Sequence, residues 1–386
     1  MSAPDNGVEG RLDIRVDTVH GEVGIRSSRP LAASRLFEGK TIDQTLGLVP
    51  LLFNVCGQAQ RTAAVRAIES AQRTGATPAV ERDRDLLVQL ETLREHLWRV
   101  LLEWPRFYGA DPASGPMSLL MARIAAARQA LDAEGLLCTR PGLDHAEGSS
   151  EAANRELQAL RGLVAEHVLG LDPARWAEIG ADGLSNWAET TVTPAARLLR
   201  FVYREGWAAI GRTSTRAMPD LDATALCGRL DAADADAFIA EPTLDGEALE
   251  TGPAARQNTH PLVSALRERH GSGLIQRLAA RLVEIASITL DLPVAAARAP
   301  AATPAGLAQL EAARGRLCHR VVLDGARIQR YRILAPTEWN FGPDGPAVQA
   351  LRGITDPRPG RARLQAELLI HAIDPCVGYK LELASA

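Results

Sequence analysis

Polar and apolar residues alternate from Arg11 to Asp17 (R-L-D-I-R-V-D) and briefly again from Glu22 to Arg26, with His20-Gly21 between them. A period of two marks a half-buried strand, so these runs predict a short hairpin. The period then changes. After Leu31 to Phe37, apolar residues of Thr41 to Phe53 fall at helical spacing (Ile42, Leu46, Val49, Leu52, Phe53) and run into Asn54-Val55-Cys56-Gly57-Gln58-Ala59. Helical character resumes from Thr62 to Gln72. Arg82 to Trp104 predicts a long amphipathic helix that ends at Pro105, which has no amide hydrogen to donate. Apolar stripes near a period of 3.6 follow at Ser118–Leu131, Glu151–His167, Pro194–Trp207, Ala223–Phe238 and Leu274–Leu290. Gly-, Pro- and Asp-rich joints separate them at 109–116, 141–150 and 242–259, and 293–305 reads as an Ala/Pro linker. Strand-like runs return at Cys318–Leu323 and Arg327–Leu334, joined by the hairpin-turn dipeptide Asp324-Gly325. Pro336-Thr337-Glu338-Trp339-Asn340, a Gly/Pro loop and a last helix from Arg361 to Ile373 complete the pattern. The predicted class is mainly α with small β elements (α+β). The organisation is one domain over 1–386: a β region at 1–30, a helical body at 31–292, and a hairpin, helix and Cys376 segment at 306–386.

Composition adjusts this picture only slightly. The chain has 386 residues, 46% apolar and 23% charged, enough for a substantial core. A net charge of −4 argues against a nucleic-acid surface. No apolar run approaches the roughly 20 residues that span a bilayer. The polar, acidic amino terminus has no signal-peptide pattern, which suggests a cytoplasmic protein with no membrane partner. Five cysteines (Cys56, Cys138, Cys227, Cys318, Cys376) are odd in number, widely spaced and without a C-x-x-C pair. That argues for reduced thiols rather than a disulfide framework. There is no phosphate-binding glycine loop, no G-x-S-x-G and no H-E-x-x-H.

The candidate chemistry lies in the thiols. Cys376 follows Asp374-Pro375, where proline fixes its own φ and restrains the residue before it. Soft metals select thiolates held on such corners. Cys56 precedes Gly57 in a helix-to-helix turn, where glycine permits positive φ and close backbone approach. Either thiol can equally be a small buried packing residue. Cys138 and Cys227 read as packing residues, His319 as a structural or ligating strand histidine, Asp374 as a turn or cap residue, and Ala313-Arg314-Gly315-Arg316 as a solvated turn.

Taken together, the thiol segments resemble the large subunit of nickel–iron hydrogenases. That family carries an amino-terminal R-x-C-G-x-C and a carboxy-terminal D-P-C-x-x-C, matched here by Asn54 to Ala59 and Asp374 to Tyr379. Val8-Glu9-Gly10-Arg11 resembles its E-G-H opening. Ala312 to His319 resembles A-P-R-G-x-L-G-H, whose arginine overhangs the metals. Pro336 to Asn340 resembles P-T-x-W-N, and His371 stands where H-S-F-D-P-C begins. The second cysteine of each thiol motif is replaced, by Ala59 and Tyr379. In the family these second thiolates bridge iron to nickel. Glu382 stands for the histidine that ends a mature large subunit, and no long extension follows it. This pattern is similar to the HupK/HoxV group of hydrogenase accessory proteins. The resemblance implies a non-catalytic scaffold that holds the Fe(CN)2(CO) fragment, without nickel, through Cys56 and Cys376 facing each other. Arg314 would serve the cyanides, with His319, Asn340, His371 and Asp374 around the pocket. Cys318 would be a third thiolate if a partner or water does not supply the ligand. A HypC-type chaperone, HypD-type maturation proteins and the hydrogenase large subunit are the implied partners. Two other readings stay open: a metal-free mimic of the large subunit that recruits chaperones, and a residual redox enzyme.

Overall fold

The computed structural model describes residues 10–53, 55–144, 151–292 and 304–384. Val8, Glu9, Asn54 and most of the 293–305 linker lie outside the described residues. The chain opens with strands β1 (Arg11–Asp17) and β2 (Glu22–Ser27), paired antiparallel as the alternation predicts. Leu12, Ile14 and Val16 form the buried face of β1. Helices α1 (Ile42–Leu52), α2 (Gly57–Gln72) and α3 (Pro78–Trp98) follow. Thr41 starts α1 through a reciprocal cap. Its hydroxyl accepts the Gln44 amide N–H at 3.3 Å, and the Gln44 side chain accepts the Thr41 N–H at 3.0 Å.

The body continues through α4 (Ser114–Leu131), α5 (Glu151–Val164), α6 (Pro173–Ala177), α7 (Ala181–Thr190) and α8 (Pro194–Arg204). A two-residue parallel ladder joins β3 (Arg216–Ala217) to β4 (Leu249–Glu250) around α9 (Ala223–Asp231) and α10 (Ala235–Ala240). Then come α11 (Pro253–Arg256), α12 (Pro261–His270) and α13 (Leu274–Asp291). α13 is buried on almost every side, packing against α3, α5, α8 and others. A helix buried all round carries its polar residues only as pairs. Arg277 accordingly meets Glu250 at 2.7 Å, and Glu284 meets both Arg256 and His96.

The carboxy-terminal region holds β5 (Leu307–Ala312), β6 (Gly315–Asp324) and β7 (Arg327–Leu334), an antiparallel meander lying against α2. α14 (Pro336–Phe341), α15 (Pro346–Arg352), α16 (Pro359–Ile373) and β8 (Gly378–Ala384) complete it. β8 runs parallel to β1, with Leu12 opposite Tyr379, so strands from both ends of the chain share one sheet.

Several expectations need correction. β5 reads L-A-Q-L-E-A, a composition of helix formers, and only its place beside β6 makes it a strand. The helix expected over Ala223–Phe238 breaks after Asp231, where Arg332 donates to the carbonyls of Leu230 and Ala232. The long helix does not end at Pro105. It widens to a π turn at Arg99–Glu103, and a 3-10 turn carries it to Tyr108. The Gly/Pro loop after Asn340 contains α15, which starts on Pro346. Among the described residues no helix is long and apolar enough to cross a membrane.

Candidate functional site

Cys56 occupies the N-cap position of α2. Gly57 is the first helical residue; its φ is not positive, and nothing lies where a Cβ would sit. Close backbone approach therefore does not explain that glycine. The start of α2 is instead filled by Glu91 of α3. Its carboxylate accepts the Gln58 N–H at 2.8 Å and the Ala59 N–H at 2.9 Å, satisfying free amides at a helix amino terminus. Burial raises the Glu91 pKa, against these hydrogen bonds.

Cys376 arrives from the other end of the chain. α16 stops at Asp374, which takes a left-handed conformation (φ 70°), and Pro375 prevents the helix from resuming. The Cys376 N–H then donates to the Thr337 hydroxyl at 3.1 Å, so the Pro336–Asn340 segment fixes the thiol corner. Cys56 and Cys376 line one small cavity and face each other there. The neighbouring Cys56 thiol, with the Arg314 and Arg29 guanidiniums and the Thr337 hydroxyl, lowers the Cys376 pKa to about 7 against the effect of burial. Cys56 moves the opposite way, raised by Cys376 beside it and by burial.

Behind Cys56 runs a buried hydrogen-bond chain. Gln60 Nε2 donates to Cys56 Sγ at 3.7 Å, and Gln60 Oε1 takes His319 Nε2 at 2.9 Å. His319 Nδ1 meets the Tyr331 hydroxyl at 2.8 Å. Both ring nitrogens are committed, and burial drops the His319 pKa to about 3. His319 therefore supports Gln60 rather than offering itself as a ligand.

Arg314 sits at the two-residue turn between β5 and β6. It is 4% exposed, not solvated as the sequence suggests. The turn folds inward because Gly315 has φ 134° and a Cβ there would come within 2.5 Å of the Thr251 side chain. Asn340 exchanges two hydrogen bonds with the Thr251 backbone (2.9 and 3.0 Å) and reaches the Arg314 carbonyl at 3.5 Å. Asn340 thus shapes the arginine turn without facing the thiols. Asp374, 2% exposed, gathers three arginines: Arg99 at 2.7 Å, Arg314 at 3.3 Å and Arg281 at 3.3 Å. These cations, Arg314 foremost, hold its carboxyl far below the usual range despite burial. It is the hub of the site, more than a cap. His371 lies one turn earlier, with Nδ1 3.0 Å from Glu103 and Nε2 accepting from Arg106 at 2.9 Å.

Cys318 does not join the pair, which corrects the expectation of a third thiolate. Its neighbours on β6, Leu317 and His319, face α2. Cys318 points to the other side and packs with Leu226, Cys227, Leu334 and Trp339. Burial raises its pKa to about 12. Among the described residues no group of three or more His, Cys, Asp or Glu side chains could hold a metal by itself.

Two hollows meet at Cys376. One is a mainly apolar cavity of about 60 Å³ beside both thiols, lined by Leu31, Phe53, Ile333 and the Arg29–Glu338 pair. The other is an open cleft of about 840 Å³ whose wall includes Arg94, Arg99, Arg314, His371 and Tyr379. Arg29, Gln60 and Glu91 escape the sequence reading, and Thr337 and Glu338 enter it only as part of the Pro336–Asn340 resemblance. A charged Glu338 inside the otherwise uncharged Pro336–Phe341 run was the available signal.

The family model for nickel-dependent hydrogenase matches residues 262–379. The hydrogenase expression/formation protein HupK of Azotobacter vinelandii is 32% identical over 383 residues, covering 98% of this chain and 99% of its own. The expression/formation protein HoxV of Cupriavidus necator is 31% identical, covering 98% and 96%. The Ni-Fe-Se hydrogenase of D. vulgaris Hildenborough, in its oxidized state, aligns with a TM-score of 0.60 over 92% of each chain at 16% identity, a likeness of fold.

Proposed function

This chain belongs to the HupK/HupV/HoxV family of hydrogenase expression/formation proteins, and from that premise we propose that it serves hydrogenase maturation as a non-catalytic carrier of the Fe(CN)2(CO) fragment. The cargo would be bound by Cys56 and Cys376 and handed on to a hydrogenase large subunit. The observation that carries this reading is the facing pair of thiols, with Cys376 placed between a small cavity and an open cleft.

The donor set suits such a cargo. Low-spin iron(II) with one carbonyl and two cyanides has three octahedral positions left. Two thiolates are soft donors that fill two of them. The third faces a question of access, and the cleft gives a partner's side chain or a water a way in. A HypC-type chaperone with a HypD-type protein is the partner class we propose there. A cavity of about 60 Å³ takes diatomic ligands but no organic cofactor, since drug-sized ligands fill pockets of roughly 300–1,000 Å³. Ala59 and Tyr379 stand where two bridging thiolates would be needed to hold nickel beside iron, which argues against hydrogen turnover.

The test is infrared spectroscopy with iron analysis on protein purified without oxygen after co-production with the maturation proteins. Wild type is expected to show carbonyl and cyanide stretching bands with stoichiometric iron. Cys56→Ser and Cys376→Ser should lose most of both. Absence of the bands from wild type would sink the carrier reading. Unchanged hydrogenase maturation in both serine variants would favour a metal-free mimic, and nickel with hydrogen uptake would favour a redox enzyme.

A further inference from the structure

We infer that Arg29 is a second anion-binding arm of this site, placed to hydrogen-bond one cyanide ligand of the cargo from the cavity side while Arg314 acts from the cleft side. The inference rests on the carrier reading above and adds a residue to it that no sequence motif marks.

Arg29 lies just after β2, and its backbone is pinned. Its N–H donates to the Ser27 hydroxyl at 3.2 Å, and its carbonyl accepts from Leu31 at 2.9 Å. Gly10 passes directly over it with φ 70°; a Cβ there would come within 2.7 Å of the Arg29 Cα. This close crossing leaves no room for the arginine backbone to shift. The side chain is 14% exposed and enters the cavity that Cys56 and Cys376 line. Its charge acts on both sulfurs. Arg314 lines the cleft on the other side of Cys376 instead. Two guanidiniums therefore bracket the thiol pair from two separate hollows.

The hydrogen-bond inventory favours Arg29 as the donor with capacity to spare. A guanidinium carries five N–H donors in a fixed fork. Arg314 gives Nε to Asp374 at 3.3 Å and Nη1 to Glu95 at 3.0 Å, which leaves its Nη2 for the cleft side. Among the described residues, the Arg29 guanidinium donates one side-chain hydrogen bond, from Nη1 to Glu338. Among the described residues its Nε and Nη2 have no acceptor, which leaves them for a ligand inside the cavity. Glu338 is itself buried at 5% exposure, so it orients the arginine and is unlike a solvated counter-ion. A buried anionic acceptor without a donor is costly, which is why a metal-bound cyanide in an apolar cavity calls for such an arm.

The experiment compares wild type, Arg29→Lys and the double variant Arg29→Met/Glu338→Gln. Removing both partners of the ion pair avoids stranding a buried carboxylate. Each protein is co-produced with the maturation proteins, purified without oxygen and read by infrared spectroscopy, iron content and thermal unfolding. In the double variant one cyanide band should shift while the carbonyl band stays near its wild-type position, and Arg29→Lys should give a smaller shift of the same band. Loss of iron from a variant that unfolds at the wild-type temperature also supports the assignment. Cyanide bands at wild-type positions in both variants overturn it, and leave the carrier reading standing. If wild type carries no such bands, it is the carrier reading that fails.

Discussion

Asp374→Asn is the substitution whose effect can be worked out most fully. Asparagine tolerates the left-handed backbone that Asp374 adopts, so the exchange removes charge while keeping shape. Arg99 retains Glu103 and Arg314 retains Glu95. Among the described residues Arg281 retains no carboxylate within ion-pair distance: its remaining bond goes to the Ala372 carbonyl at 3.3 Å, in a side chain 1% exposed. Breaking a buried pair this way costs about 3–5 kcal/mol. An unfolding entropy of about 2.1 cal/mol/K per residue over 386 residues makes about 0.8 kcal/mol/K, so the midpoint should fall by about 4–6 °C. Adding Arg281→Met should recover part of the loss, because it removes the stranded cation. The pH dependence follows from the direction of the shift. The Asp374 pKa is depressed on folding, so its contribution is complete above its unfolded value of about 3.9 and fades only as pH falls toward the lower folded value. The difference between wild type and variant should be constant from about pH 5 to 8 and shrink below about pH 4. Differential scanning calorimetry or circular dichroism reads all of this. A midpoint within about 1 °C of wild type, or no recovery in the double variant, would refute the claim that Asp374 organises these arginines.

Iodoacetamide alkylation of the protein without its cargo, followed by mass spectrometry, should label Cys376 with a midpoint near pH 7. Cys56→Ala should move that midpoint upward, because the neighbouring thiol that lowers it is gone; an unchanged midpoint means the thiols do not meet. His319 is held neutral by burial with a pKa of about 3, so its contribution to stability is complete above its unfolded value of about 6.5 and declines as pH falls toward 3. His319→Leu should therefore show a flatter loss of stability between about pH 6.5 and 4 than wild type, and an equally steep curve contradicts this. Cys318→Ala should cost about 1 kcal/mol by leaving a small gap, with iron retention at the wild-type level. Loss of iron in that variant would reinstate Cys318 as a ligand.

What the sequence discloses here is local, and what it hides is distant. The alternation at Arg11–Asp17 and the Asp324-Gly325 turn carry their structure in a few adjacent residues, and both form. β8 also alternates (Y-K-L-E-L), yet nothing nearby marks its partner, which is β1, more than 360 positions away. The motif matches bring Cys56, Cys376 and Arg314 together, but not Arg29, Gln60 or Glu91. Arg29 and Glu338 are 309 positions apart. Arg99 and Arg281 converge on Asp374 with Arg314 from separate elements, and neither of the two belongs to a motif. Burial is what turns such residues into a site, and burial is a property of the assembled fold.

Those distant groups also bear on what a carrier must do. Where a metal supplies the folding energy of its site, removing it unfolds the ligands, and release becomes as difficult as denaturation. Here each thiol is positioned by contacts made wholly within the chain. Glu91 and Gln60 hold Cys56; Thr337, the Asp374 cluster and the β1–β8 pairing hold Cys376. Such a site does not need a cargo to hold its geometry. On the carrier reading proposed above, iron binding draws on the thiolates and the neighbouring guanidiniums and not on the folding of the chain. A thiol pair that holds its place from within the fold, and opens on one side to a cleft, then lets the fragment leave without unfolding its ligands, which is what onward transfer requires.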